Sequence, residues 1–145
     1  MKKLSFLLAF AALLLIAETG STAQQNSYLV IVHADNQLDS ISKTRVSQLL
    51  LKKVARWEEG TPAAPVDLDG KSPVRAALSK DVHGRSVSSI KSYWQRQIFS
   101  GREVPPPEFS EAQVVQFVQS NPGGIGYVAA GTTLPSNVKV LSVVN

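Results

Sequence analysis

Apolar, β-branched runs alternate along the chain with segments in which apolar residues recur at helical spacing. The runs predict strands over 28–33, 65–68, 125–130 and 138–144. Helical spacing, each time preceded by a serine able to cap the first turn, predicts helices over 43–52, 73–82, 87–99 and 111–120. This order of strands and helices predicts an α/β domain with a mostly parallel sheet flanked by helices.

The stretch VDLDGKSPVRAALSKDV, residues 66–82, joins a short strand to a helix through a turn. Pro73 after Ser72 is a strong start signal, because the N–H that proline lacks would have no partner there. The free N–H groups and the dipole of a helix start favour an anion, and Lys71 and Arg75 would add positive charge. Two interpretations stay open: an anion site, or a helix that Ser72 merely caps while Arg75 points to solvent.

The first 23 residues predict a secretory signal peptide. Two lysines near the start precede a nearly uninterrupted apolar run over 4–17, and small residues lead up to Ala23. The run is shorter than the roughly 20 residues that a membrane span needs, although an uncleaved anchor remains the alternative. No later segment is long and apolar enough to span. We therefore predict a signal peptide over 1–23 and one domain over 24–145.

The amino-acid composition excludes several classes of protein. The chain has no cysteine, which excludes disulfides, thiolate metal ligands and a lipoprotein anchor. Together with the short export signal, this predicts a periplasmic protein, with secretion to the medium as the alternative. The net charge of +4 is mild and is not gathered in one basic cluster, which argues against nucleic-acid binding.

Catalytic chemistry finds little support. No nucleophile elbow, zinc-protease motif or phosphate-binding Walker loop is present, and the sequence predicts neither an enzyme nor a cofactor. His33 and His83 are far apart, and His83 near a helix end is expected to complement the helix dipole. Asp67 and Asp69 could share a cation, but an Asp-Gly turn at Asp69 is the favoured interpretation.

Four segments carry a family resemblance, in the order SKTRVSQLLLKKVARWEEGTPAAPVD, GKSPVRAAL, YWQRQIFSG and VVQFVQSNPGGIGYV. Together they resemble the phosphate-binding proteins of bacterial ABC transporters, a branch of the periplasmic solute-binding proteins. That family has an F-x-G-K…W segment, a Ser-Gly-Thr-Arg loop at a helix start and a later N-P-G-A-I-G-Y strand. The resemblance covers residues 28 to about 128 and implies a single three-layer lobe of the periplasmic-binding-protein type.

The resemblance also implies a ligand. Its Ser-Gly-Thr-Arg loop corresponds to residues 72–75, so Ser72 would donate its hydroxyl to phosphate or a similar oxyanion. Val74 and Arg75 would donate backbone N–H groups, Arg75 also its guanidinium, and Lys71 would be a second charge. Pro73 and Val74 depart from the pattern and remove an N–H and a hydroxyl. Two lost bonds of about 1 to 2 kcal/mol each would weaken binding roughly tenfold to a thousandfold.

The family's proteins have two lobes and more than twice this length. A site on one lobe stays open to water unless a protein partner or a second copy of the chain supplies the other wall, and an open site binds weakly. We therefore predict weak or partner-dependent binding of phosphate or a similar oxyanion by a small periplasmic protein. The alternative is a ligand-free interaction module that docks onto a membrane sensor or an envelope partner.

Overall fold

The computed structural model describes residues 27–145, and the predicted signal peptide lies outside the described residues. In this part of the chain, seven strands form two sheets: β1 Tyr28–His33, β2 Ser40–Ser42, β3 Ala64–Pro65, β4 Asp67–Leu68, β5 Glu108–Phe109, β6 Gly124–Ala129 and β7 Val138–Val144. Four α-helices accompany them: α1 Lys43–Leu50, α2 Pro73–Leu78, α3 Val87–Phe99 and α4 Glu111–Ser120. Within residues 27–145, no helix has the length and hydropathy needed to cross a membrane.

The larger sheet has the strand order β2-β7-β1-β6-β3. Its central strand, β1, runs antiparallel to both β6 and β7, whereas the outer pairs β2–β7 and β3–β6 are parallel. The smaller sheet pairs β4 with β5 in parallel. The predicted α/β class is confirmed, and the sheet is mixed, with an antiparallel centre. Strand direction depends on how the distant β6 and β7 return to β1, which the local sequence of β1 does not encode.

All four predicted serine caps are present. Ser42, Ser72 and Ser86 each accept a hydrogen bond from the backbone N–H three residues later, at 3.1–3.3 Å. Ser110 adds a reciprocal bond from its own N–H to the side chain of Gln113, a capping box. The predicted helix over 73–82 consists of α2 followed by a π-helical turn at Ser79–His83.

The core forms where helices cover the larger sheet. In β1, Val30, Ile31 and Val32 are all at most 1% exposed, so both faces of the central strand are covered. On one face α4 lies close to β6, because a β-carbon on Gly126 would stand 2.5 Å from Cγ1 of Val114. This close approach requires glycine at that position.

The two tryptophans have separate structural places. Trp57 is 3% exposed, and its indole N–H donates to the carbonyl of Gly123 at 2.9 Å, which ties the loop after α1 to the start of β6. Trp94 packs with Leu51 and Ile90 in a second, smaller apolar cluster under α3. Both side chains stabilise the scaffold that carries the loop between β4 and α2.

Candidate anion-binding site

The loop between β4 and α2 is shaped by Asp69 and Ser72. The Asp69 carboxylate accepts the N–H of Lys71 at 2.8 Å, and its carbonyl accepts the N–H of Ser72 at 2.9 Å. Asp69 therefore forms a turn, as the favoured interpretation held. Ser72 Oγ accepts the N–H of Arg75 at 3.3 Å, so Ser72 does cap its own helix. A serine hydroxyl that accepts one bond can still donate its proton to another group.

The side chain of Arg75 is buried and bonded on several sides. The residue is 4% exposed, so the interpretation in which it points to solvent is wrong. Its guanidinium donates from Nη1 to the carbonyl of Leu68 at 2.8 Å and to Oε1 of Glu108 at 2.7 Å. Its Nη2 lies 3.3 Å from Oδ2 of Asp67. The side chain thus links α2 to β4 and β5, and an oxyanion would reach it only by displacing Glu108, whose side chain is 48% exposed.

Asp67 lies at the inner end of this network. Its Oδ1 accepts hydrogen bonds from the hydroxyl of Tyr127 and from the N–H of Leu68. Burial raises the pKa of Asp67 above its ordinary value, although Arg75 and Tyr127 both oppose the rise. Burial and the neighbouring Asp67 also raise the pKa of Tyr127. Asp67 and Asp69 therefore do not form a cation-binding pair, because Asp67 faces the core and Asp69 stabilises a surface turn.

His83 does not have the expected role of a charged cap. Its Nδ1 lies 2.7 Å from the hydroxyl oxygen of Ser47, in a half-buried position. Burial, and then the positive charges of Arg75, Arg85 and Lys53, lower its pKa to about 4. A histidine with this pKa is neutral at pH 7 and offers no charge to the helix dipole.

An open cleft of about 580 Å³ lies beside the loop, between α2 and the start of α3. Lys71, Ser72 and Pro73 line one side, and Lys80, Arg85 and Ser86 line the other. Two of the four residues expected to bind an anion, Lys71 and Ser72, thus border a real cavity. Sequence reasoning missed Lys80 and Arg85, which lie 8 and 13 positions after Ser72. Lys80 belongs to the π-helical turn and Arg85 to the bend that follows it.

Val74 supplies the remaining expected donor. Its side chain packs against the main core, so the valine that replaces a polar residue of the family pattern has a packing role. Within residues 27–145 its backbone N–H donates to no other group. The loop therefore offers one free N–H, one hydroxyl proton and one lysine ammonium to a ligand.

Solved structures, but no family models or curated sequences, match this chain. Among solved structures, a phosphate ABC transporter substrate-binding protein from Clostridium perfringens, solved with bound phosphate, matches with a TM-score of 0.62 at 17% identity. The match covers 81% of this chain and 44% of that one. Over the matched part, the chain shares the fold of phosphate ABC transporter substrate-binding proteins.

Two further solved structures of this fold agree. An ABC-type phosphate transport receptor from Vibrio cholerae has a TM-score of 0.60 at 13% identity, and PstS from Borrelia burgdorferi has 0.56 at 16%. Each match covers 81% of this chain, and 46% and 47% of those chains. The family resemblance seen in the sequence is thus confirmed as a shared fold. This chain spans less than half the length of the substrate-binding proteins that it matches.

Proposed function

We propose that this chain is a periplasmic, single-lobe relative of phosphate-binding proteins that binds inorganic phosphate or a similar oxyanion weakly. The observation that carries the proposal is the set of free donors at the start of α2, of which Lys71 and Ser72 line the cleft, in a chain with this fold. The Ser72 hydroxyl, the Val74 N–H and the Lys71 ammonium all belong to one four-residue stretch. An oxyanion accepts hydrogen bonds from each of these groups, and those from charged donors are the strongest.

Arg75 contributes to this site in a conditional way. Its backbone N–H is already given to Ser72, and its guanidinium is held by Asp67 and Glu108. An oxyanion gains the guanidinium only when Glu108 swings into the solvent that already reaches its side chain. Together with the donors lost at Pro73 and Val74, this makes phosphate binding by the isolated chain weak.

The cleft is open to solvent, which supports partner dependence. The chain covers less than half of each matched substrate-binding protein. A second copy of this chain or a protein partner that closes over the cleft would exclude water and strengthen every charge-assisted bond within it. Oxyanion binding and association are therefore coupled in this proposal.

The ligand-free interaction module is the second candidate, and one observation favours it. Apolar side chains are exposed at the end of α3 and in the connector that follows: Ile98 at 51%, Phe99 at 89% and Val104 at 58%. Exposed apolar residues that lie close together mark contact surfaces on soluble proteins. In this candidate the surface around Phe99, and not the loop at Ser72, meets a membrane sensor or an envelope partner.

Calorimetric titration of residues 24–145 with phosphate and with sulfate tests the first candidate. Ser72→Asp is the informative variant, because aspartate keeps the helix cap while its charge repels an anion. Ser142→Asp, on the exposed side of β7, is the matched control. We expect measurable heat for the wild type and the control, and none for Ser72→Asp. Absence of heat for the wild type at millimolar phosphate contradicts free-standing binding.

Complementation of a gene deletion separates the two candidates. Oxyanion binding predicts that Ser72→Asp fails to restore the phenotype while Phe99→Ser restores it. The interaction module predicts the opposite pair of results. Phe99 is 89% exposed, so its replacement leaves the core intact.

A further inference from the structure

The cleft between α2 and α3 has two kinds of wall. Pro73, Ala76 and Val87 give it an apolar floor, and Gly70 and Gly84 contribute no side chains. Its polar side chains are Ser72 and Ser86 and three cations, Lys71, Lys80 and Arg85, and no acidic residue of the described part of the chain lines it. An apolar floor with a basic rim favours a ligand that has both an apolar body and an anionic group.

The three cations are free to meet such a ligand. Lys71, Lys80 and Arg85 are exposed and form no ion pair within residues 27–145. The nearest acidic residues in the chain, Asp69 and Asp81, do not line the cleft. Asp69 accepts the Lys71 N–H at 2.8 Å, and Asp81 pairs with Lys43 at 2.8 Å on another side of the turn. The cleft therefore carries uncompensated positive charge.

The size of the cleft favours an anion larger than inorganic phosphate. Pockets of about 300 to 1,000 Å³ are typical of small organic ligands, and this cleft has about 580 Å³. Inorganic phosphate has no apolar surface, so it would bind at one end of the rim, at Lys71 and Ser72, and leave the floor around Ala76 in water. A phosphate ester would use both.

We infer that the cleft binds a small organic phosphate, a monoester with an aromatic or aliphatic body. The phosphoryl group meets Lys71, Lys80 and Arg85, and the organic body lies on Pro73, Ala76 and Val87. The inference rests on the proposed function only in sharing Lys71 and Ser72. Lys80 and Arg85 belong to this cleft alone, which allows the two ideas to be tested separately.

The test is a calorimetric comparison of phenyl phosphate, inorganic phosphate and phenol on residues 24–145. We expect phenyl phosphate to bind about fivefold or more tighter than inorganic phosphate, because its ring covers the apolar floor. Phenol should give no measurable binding, since it lacks the anionic group. Lys80→Gln/Arg85→Gln should weaken phenyl phosphate at least about tenfold by removing two charged donors, while the control Arg102→Gln/Lys139→Gln should not.

A second variant tests the floor. Ala76 is exposed, so Ala76→Phe fills the cleft without entering the core. It should abolish the advantage of phenyl phosphate and leave inorganic phosphate unchanged, with the thermal midpoint as a check of folding.

The outcomes are distinguishable. If inorganic phosphate binds and phenyl phosphate binds no tighter, the inference is overturned and the proposed function stands. If phenyl phosphate binds, is lost in Lys80→Gln/Arg85→Gln and tolerates Ser72→Asp, the inference stands and the phosphate loop is wrong. If neither ligand binds, both are wrong.

Discussion

Replacement of Arg75 by methionine removes a buried charge and keeps a long, unbranched side chain. The Arg75 side chain is 5% exposed and that of its partner Asp67 is 10% exposed, so the pair is shielded from water. The variant leaves the Asp67 carboxylate without its cation. It also leaves the carbonyl of Leu68 without the donor that now lies at 2.8 Å.

The expected loss is large. Removing one member of a buried ion pair costs about 3 to 5 kcal/mol, because the remaining charge stays buried without compensation. Domains of this kind unfold with a free energy of about 5 to 15 kcal/mol. Arg75→Met should therefore remove a large share of the stability at pH 7. The outer contact with Glu108 adds little, since a half-exposed ion pair contributes about 1 kcal/mol or less.

The loss should also depend on pH. Burial already holds the pKa of Asp67 above its ordinary value of 3.8, and Arg75 is the strongest influence that opposes it. Without Arg75 that pKa rises further. A carboxyl with a raised pKa favours the fold while it is protonated, and it costs stability as the pH rises through the folded-state pKa. The effect of Arg75→Met should therefore be largest at pH 7 and smaller near pH 4.

Urea unfolding at pH 7 and pH 4, monitored by tryptophan fluorescence, measures the stability lost in Arg75→Met. Arg102→Met, at an exposed arginine, is the control. The double variant Asp67→Asn/Arg75→Met should recover more than half of the loss, because it removes the uncompensated charge. A loss below about 1 kcal/mol, or an equal loss at pH 7 and pH 4, would refute the buried ion pair as the cause.

Three further predictions concern other sites. His83 has a folded-state pKa of about 4 against 6.5 unfolded, so the free energy of unfolding should decrease as the pH is lowered from 6.5 to 4. In urea titrations, His83→Gln should make the free energy of unfolding depend less on pH over this range. Gly126→Val should cost about 1 to 3 kcal/mol by overpacking against Val114, and Val114→Ala should restore part of it; additive losses would contradict the contact. Glu108→Gln should raise phosphate affinity in calorimetry, by up to about fivefold, with Glu103→Gln as control. An unchanged affinity would mean that phosphate does not use the guanidinium.

The helices were predictable because their start signals are local. Each cap is a serine that bonds to an N–H three residues later, so both partners lie within one turn of sequence. The strands β2 and β5 escaped prediction, because three- and two-residue strands have no alternating pattern of their own. They exist because β7 and β4 lie beside them.

The candidate site was predictable only in part, for a similar reason. Lys71, Ser72 and Val74 follow from the start of α2 and from the family resemblance. The environment of Arg75 does not, because Asp67 and Glu108 lie 8 and 33 positions away in sequence and meet it only in the folded chain. A buried arginine at a helix start has the same local sequence as an exposed one.

The central place of β1 has a consequence for how the chain folds. Val30 is paired with Tyr127 on one side and with Leu141 on the other, so both neighbours of the first strand lie about a hundred residues later. Closing such distant pairs is slow, and β1 has no sheet partner until the last quarter of the chain is available. For a chain exported N-terminus first, as proposed here, the sheet can form only after nearly the whole chain has crossed the membrane.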